Sequence, residues 1–425
     1  MQEIKRDTYL QELIDRKENS MIKVITGIRR SGKSYLLFNL YYNYLLSIGV
    51  KKENIITIAL DDEKNKKLKE ADALYRFIHS KIKDKSEMYY VFIDEVQYAI
   101  KKEDLKSDEP LSLYGVLNGL LHLRNVDVYV TGSNSKLLSK DVLTEFRGRG
   151  DEVRVYPLTF KEYYDYMGGD KLEAFEDYYI YGGLPFVLSF NNPKDKMRYL
   201  SKLFNEVYFK DIIERYDLKF IEIMSLITDD LCSSIGSLTN SSKIAKTLKS
   251  VKKINVDSET IAKYLECLKE SFLFSEAKRY DVKGKKYFSY PSKYYAIDLG
   301  LRNARINFRQ KELTHIMENI IYNELIARGY YVDVGVVEVS VKGKRKSVEI
   351  DFIANMGPER YYIQSAYNIY DEDKKNMELR PLMATKDFFR KIVINGMWGR
   401  KTYDDNGIVY MGLIDFLLDK NSLKS

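Results

Sequence analysis

An apolar run over 21–26 breaks directly into Gly27-Ile28-Arg29-Arg30-Ser31-Gly32-Lys33-Ser34, and an amphipathic stretch over 35–46 follows. No other feature leaves the chain so little freedom. Glycines at both ends of the loop let backbone N–H groups turn inward around phosphate oxygens, where side chains would block them. Lys33 brings an ammonium to the β- and γ-phosphates, and Ser34 brings a hydroxyl to Mg2+. The helix that starts there aims its N-terminal dipole at the same phosphates. A strand before and a helix after are the context that this spacing needs. The expected ATP contacts are Gly27, Ile28, Arg29, Arg30, Ser31, Gly32, Lys33, Ser34 and Tyr35.

Tyr89-Tyr90-Val91-Phe92-Ile93-Asp94-Glu95 is a second apolar strand, closed by two acids, and has the form of a Walker B element. Asp94 would complete the Mg2+ shell with Ser34, and Glu95 would polarise the attacking water as general base. A further strand, Val128-Tyr129-Val130-Thr131-Gly132, runs into Ser133 and Asn134. Either of these suits a sensor of the γ-phosphate or the water, from a strand between the other two; a plain helix cap is the alternative. Arg147 and Arg149 flank Gly148 in a glycine-containing loop. They are candidates for an arginine that reaches a γ-phosphate in cis or from a neighbouring subunit, with simple surface arginines as the alternative. Arg29 and Arg30 compete for the same role.

The rest of the first 160 residues follows the same style. Apolar runs over 21–26, 54–60, 88–93 and 127–130 alternate with helical patterns over 35–46, 72–82 and 111–123, which predicts a parallel sheet with crossover helices. The first 20 residues read as a helix, with Tyr9, Leu10, Leu13 and Ile14 on one face. Residues 160–230 are helical, interrupted by Tyr181-Gly182-Gly183-Leu184-Pro185.

Composition excludes whole classes. The chain has 425 residues, 45% of them hydrophobic, and only two cysteines, Cys232 and Cys267, so neither a disordered chain nor a disulfide-stapled miniprotein is expected. No apolar run approaches a membrane span, and the charged N-terminal 20 residues lack a signal-peptide core, which points to a cytoplasmic protein. The three histidines are scattered, so a histidine metal site is not expected.

Together these residues resemble a family of prokaryotic AAA-type ATPases fused to a C-terminal domain of unknown function with a restriction-endonuclease-like fold. GIRRSGKS, YYVFIDEVQ, VTGSNSKLLS, GRGDEVRVYPLTFKEY, YGGLP and KDIIERY carry the resemblance in the first half. ENIIYNEL, EIDFIA and YYIQSAYN carry it further on. The resemblance implies ATP and Mg2+ as cofactors, hydrolysis, and a role in a nucleic-acid or conflict-related process.

Two helical patterns over 241–249 and 258–271, then a hairpin pattern over 280–290 turning at Gly284, give the order of a winged helix. Residues 241–290 hold 12 Lys/Arg against 6 Asp/Glu, nearly all of the chain's net +7. That basic stretch is a candidate DNA contact; a rigid lid or a protein-docking module is the alternative. A helix over 314–328 and strands over 330–341, 347–354 and 360–366 form a second α/β unit. Its nuclease-like acids would be Glu318 or Glu324, with Glu349 and Asp351 on one strand face. Where an acid-x-Lys should follow, Gln364-Ser365-Ala366 stands, so the fold is expected without cleavage.

The expected fold class is α/β: a P-loop NTPase parallel sheet over 1–160, a helical lid over 161–230, a winged helix over 231–305, and a restriction-endonuclease-like α/β domain over 306–425. The expected function is a Mg2+-dependent AAA-type ATPase that moves the later modules. The alternative is a slow ATP-dependent switch that binds a protein partner. Partners other than ATP, whether DNA, a protein or further copies of the chain, stay open, and no membrane is expected.

Overall fold

The computed structural model describes residues 3–100, 112–133, 149–288, 291–309, 312–341, 343–367, 372–397 and 399–424. Two compact units emerge: Met1–Pro157 with Glu270–Phe272, and Leu158–Lys269 with Leu273–Ser425.

The first unit is built on a parallel sheet of β1 (Ile22–Thr26), β2 (Ile55–Ala59), β3 (Tyr89–Asp94), β4 (Val126–Thr131) and β5 (Gly150–Arg154), in the order β2-β3-β4-β1-β5. β4 thus lies between the strand that feeds the glycine loop and the strand that ends in Asp94. Side chains alternate across the sheet. Ile22, Val24, Val91, Ile93, Val128 and Val130 pack on one face with helices Ala71–Lys81 and Ser112–Leu121. Ile25, Tyr90, Phe92 and Tyr129 pack on the other with Asp7–Asp15 and the long helix over 33–47. Covering both faces explains why β1, β3 and β4 read as apolar runs, interrupted by Lys23 in β1 and Asp127 in β4. Among the described residues β5 pairs only with β1, and its sequence Gly-Asp-Glu-Val-Arg is largely polar, so no apolar run announced it.

A buried ion pair crosses this sheet. Lys23, 0% exposed, pairs with Asp127 and donates to the Met21 carbonyl at 3.0 Å. Tyr129 donates to the same carboxylate at 2.7 Å, and Tyr41 and Tyr129 share a hydroxyl contact of 2.6 Å. A lone ammonium here would be prohibitively costly; the carboxylate and two phenols make it tolerable.

The second unit contains two sheets. The small one joins β6 (Leu238–Thr239), β7 (Phe274–Ala277) and β10 (Ser292–Ala296) antiparallel in the order β6-β10-β7. Helices Ile221–Ser233, Ser241–Thr247 and Ser258–Glu270 precede its last two strands. The hairpin β8 (Arg279–Asp281) and β9 (Lys286–Tyr287) does not stay with it. β8 instead pairs in parallel with β11 (Tyr331–Val341), matching Arg279 to Val334 and Asp281 to Val336. The expected wing therefore extends the C-terminal sheet. Arg279 holds it there through Glu349 at 3.3 Å on β12 (Lys344–Met356), and the Tyr280 ring lies 5.7 Å under the Arg360 guanidinium.

The large sheet is completed by β13 (Glu359–Ala366), β14 (Arg390–Asn395), β15 (Thr402–Tyr403) and β16 (Val409–Met411). Its order is β15-β16-β14-β13-β12-β11-β8-β9. β11, β12 and β13 form an antiparallel meander, and β13, β14 and β16 run parallel. Helix Leu313–Ala327 precedes the meander, and helix Glu372–Ala384 crosses from β13 to β14. Among the described residues, no helix is long and apolar enough to cross a membrane.

The glycine pair after helix Lys171–Tyr181 has a packing cause. A Cβ on Gly182 would meet the Asp298 carboxylate at 2.4 Å, one on Gly183 the Leu158 carbonyl at 2.3 Å, and one on Gly300 the Tyr181 carbonyl at 2.0 Å. Asp298 is buried, which pushes its carboxyl up to about 6 against the opposing hydrogen bonds from Leu301 and Gly183. Gly300→Ala should therefore destabilise this unit by about 1–3 kcal/mol, read as an earlier unfolding transition in urea, whereas Gly115→Ala, exposed in helix Ser112–Leu121 with open space around the added Cβ, should not.

Candidate nucleotide site

β1 delivers the chain into a loop whose backbone only glycine adopts easily: φ is +135° at Gly27 and +96° at Gly32. A Cβ on Gly27 would strike the Val155 carbonyl at 2.2 Å. Arg6 braces the loop from behind, donating to the Ser31 carbonyl at 3.1 Å and the Tyr156 carbonyl at 2.7 Å. The helix begins at Lys33, so its first N–H groups open toward the loop.

Lys33 folds back over the loop. Its ammonium donates to the Gly27 carbonyl at 2.9 Å and the Ile28 carbonyl at 3.0 Å. Burial lowers its pKa to about 8, opposed by the carboxylates of Glu95 and Asp94 and reinforced by Arg29. The Ser31 hydroxyl is buried without a partner among the described residues, as a loop made to surround an anion would leave it. Arg30 sits at φ +64° and is exposed; Tyr35 is 40% exposed and donates to Glu3 at 3.2 Å.

Asp94 lies at the same end of the sheet. Ser34 donates to its carboxylate at 3.0 Å, and Thr131 donates to it from β4. Burial raises the Asp94 pKa, and these two hydroxyls pull it back. A hard divalent cation takes oxygen ligands, so Ser34 and Asp94 form a fitting donor pair for Mg2+ beside a phosphate loop. Glu95 adopts a left-handed backbone, φ +51°, with its N–H bonded to the Thr131 hydroxyl at 3.1 Å. Its carboxylate accepts from the Gln97 amide. Ser133 receives the Arg29 guanidinium at 3.2 Å, so the sensor candidate and a loop arginine are already in contact.

Two of the expected residues, Asn134 and Arg147, lie outside the described residues. Arg149 is exposed and sits at the far end of the sheet: its carbonyl accepts from Ile22 at 2.9 Å, before β5 begins. Ile22 and Thr26 are four residues apart on β1, about 13 Å at a strand's rise, so Arg149 does not reach its own phosphate loop. The cis role expected for it is corrected by that register. Sequence reasoning missed Thr131 and Gln97. Thr131 stood in the quoted strand end, but a Thr bonding across two strands has no local signature.

The acids expected in the C-terminal unit are only partly brought together. Glu318 accepts from Lys293 at 2.8 Å and from Tyr295 at 2.6 Å, and Asp351 lies 3.7 Å from the same ammonium. Asp351 also accepts from the Ser365 N–H at 2.9 Å, and burial pushes its carboxyl up to about 7. Gln364 donates to Glu378 at 2.8 Å. Glu324 pairs instead with Arg328 at 2.7 Å, and Glu349 with Arg279. Lys293 comes from β10, far in sequence from either acid, and was not anticipated. No group of acids, histidines or cysteines suited to a metal ion occurs among the described residues.

The chain is similar to several known proteins. The model of an AAA domain matches residues 19–164, and that of a domain of unknown function, DUF8612, matches residues 172–312. An uncharacterised protein of Haemophilus influenzae is 36% identical over 420 residues, 98% of each chain. The uncharacterised protein MJ1544 of Methanocaldococcus jannaschii is 28% identical over 370 residues, 83% of this chain and 76% of that one. Among solved structures, the Walker-type ATPase PABY2304 of Pyrococcus abyssi is similar over 72% of this chain and 96% of its own, with 17% identity and a TM-score of 0.49.

For a nucleotide held in this loop, the buried lysine would make affinity depend on pH. Phosphates restore the ammonium, so the bound pKa lies above the free value of about 8. ATP affinity should be full below pH 8 and fall by up to about tenfold per unit above it. Calorimetry at pH 8.5 in two buffers should register proton uptake; a dissociation constant flat from pH 7 to 9 would refute this role of burial.

Proposed function

Since the chain belongs to the family of the Haemophilus influenzae protein and carries an AAA-type P-loop ATPase domain, we propose that it binds Mg-ATP and hydrolyses it. The carrying observation is the convergence of Lys33, Ser34 and Asp94 at one end of the sheet, with Glu95 beside them. Lys33 and the loop N–H groups neutralise the phosphates. Ser34 and Asp94 would hold Mg2+, which supplies charge neutralisation at the transferred phosphoryl group. Glu95 orients the water and draws its proton. Arg29 and Ser133 stand where a γ-phosphate would be sensed. Arg147 and Arg149 stay as candidates for a neighbouring subunit's site, which requires an oligomer.

The later part of the chain serves as the moved module. The order helix, strand, two helices and two further strands over 221–296, with those three strands in one small sheet, supports a winged-helix reading in which the inserted β8–β9 hairpin belongs to the C-terminal sheet. The order helix, three-stranded meander, helix, strand over 313–395 supports a restriction-endonuclease-like reading. With Lys293 neutralising Glu318 and Asp351 and with Gln364 in place of an acid, this module holds its charges internally and does not cut. The four proposed domains are 1–160, 161–230, 231–305 and 306–425. DNA is the favoured partner of the lysine-rich 241–290 region.

The Glu95–Gln97 contact favours a second reading. If the amide holds the general base back at rest, the chain is a slow ATP-gated switch whose turnover waits for a protein partner. Gln97→Ala should then raise resting turnover several-fold, whereas a constitutive motor should be unaffected or slowed.

Steady-state phosphate release tests the main proposal. Lys33→Ala should abolish ATP binding and turnover. Glu95→Gln should keep binding and lower kcat by roughly 100-fold or more, the share of a general base. Unaltered turnover in Lys33→Ala would end the proposal. Plasmid DNA with Mg2+ should stay intact, and nicking lost in Asp351→Ala would overturn the non-cutting reading.

A further inference from the structure

Pairing β8 with β11 brings two basic segments together that lie some 60 positions apart in the chain. Lys283, in the turn of the β8–β9 hairpin, and Arg345, at the start of β12, line one open cleft of about 450 Å3 with Lys386, from the turn before β14. Ser340 and Thr385 add hydroxyls to the wall; Glu338 and Asp387 are its acids. Asp387 is already engaged, accepting from the Tyr362 hydroxyl at 2.7 Å and the Phe389 N–H at 3.3 Å. Lys285 and Lys286, close to Lys283 in the chain, and Lys344 and Lys346, on either side of Arg345, are exposed. None of these seven cations makes an ion pair among the described residues.

The residue next in sequence to this lining is aromatic and bare. Phe388 follows Asp387 directly and is 105% exposed, so no part of its ring is packed. A row of unpaired cations can be a solvated surface. A row beside a bare phenyl ring matches what an unstacked nucleotide requires, cations for the backbone and a flat face for the base. A duplex keeps its bases stacked and would leave Phe388 unused.

The winged-helix order invites a different mode, in which the last helix reads a duplex groove. The burial of that helix opposes it. Between Ser258 and Glu270 only Ser258, Glu259 and Lys263 are exposed, and Lys269 is held by Glu266 and Glu276, each at 2.7 Å. The hairpin that would act as a wing is committed to the C-terminal sheet. Lys283 thereby lines the same cleft as Arg345 rather than flanking a recognition helix.

We infer that the cleft between the β8–β9 hairpin, the β11–β12 hairpin and the turn over 385–388 binds single-stranded nucleic acid, with Lys283, Arg345 and Lys386 on the phosphates and Phe388 stacked on a base. This deepens the proposed function by naming the polymer on which the ATPase acts, and it rests on that reading for its purpose but not for the binding itself.

Fluorescence anisotropy of labelled dT20 with the full chain tests it, without added ATP. The wild type should bind dT20 more tightly than a 20-base-pair duplex, and millimolar pyrophosphate should not displace it. The triple variant K283A/R345A/K386A should lose roughly tenfold or more in affinity and lower the salt slope by about 2. Phe388→Ala alone should lose roughly tenfold with the salt slope unchanged. Lys33→Ala should bind dT20 as the wild type does, so failure of the ATPase reading would leave this result standing. Any of four outcomes would overturn the inference: no dT20 binding, an unchanged triple variant, full displacement by pyrophosphate, or Phe388→Ala breaking up an oligomer while DNA binding persists.

Discussion

The Asp94 carboxylate is the point at which the ATPase domain is tied together. It ends β3, takes the Ser34 hydroxyl at 3.0 Å from the helix that follows β1, and takes the Thr131 hydroxyl from the end of β4. Thr131 then accepts the Glu95 N–H at 3.1 Å. Three neighbouring strands must hold one register for these contacts to coexist, and the buried valines and isoleucines between them fix it. Breaking one such buried contact costs about 1–3 kcal/mol and leaves the carboxylate under-satisfied. The atoms offered to a cation are thus the atoms that align the sheet.

Much of this was legible in the sequence, for identifiable reasons. Strands covered on both faces cannot hide, so β1, β3 and β4 stood out as apolar runs, and Gly27, Lys33 and Asp94 occupied spacings that few other structures require. β5 was invisible because an edge strand needs only alternate burial, and Gly-Asp-Glu-Val-Arg shows one buried valine. The cis alternative for Arg149 fell because a strand's direction, not its nearness in sequence, decides which end of the sheet an arginine occupies. Contacts such as Lys293 with Glu318 left no trace, since their partners meet only through tertiary packing.

The C-terminal unit turns on the same balance of buried charge. Lys293 sits between two carboxylates, and Tyr295 caps one of them. Burying an unpaired carboxylate pair would be strongly unfavourable; the ammonium offsets it without an added cation. The fate of the β8–β9 hairpin follows from ordinary strand chemistry. The N–H and C=O groups along β11 need partners, and Arg279-Tyr280-Asp281 supplies them. That pairing also redistributes charge, moving the lysines of the hairpin from a helix-turn-helix context to the rim of a sheet.

The central claim is that one carboxylate serves both as sheet joint and as cation ligand, and calorimetric titration of ATP with and without Mg2+ on Asp94→Asn tests it most directly. The account predicts that Mg2+ tightens ATP binding to the wild type, that the variant loses this gain, and that metal-free ATP still binds through Lys33. A variant that binds Mg-ATP as tightly as the wild type would contradict it.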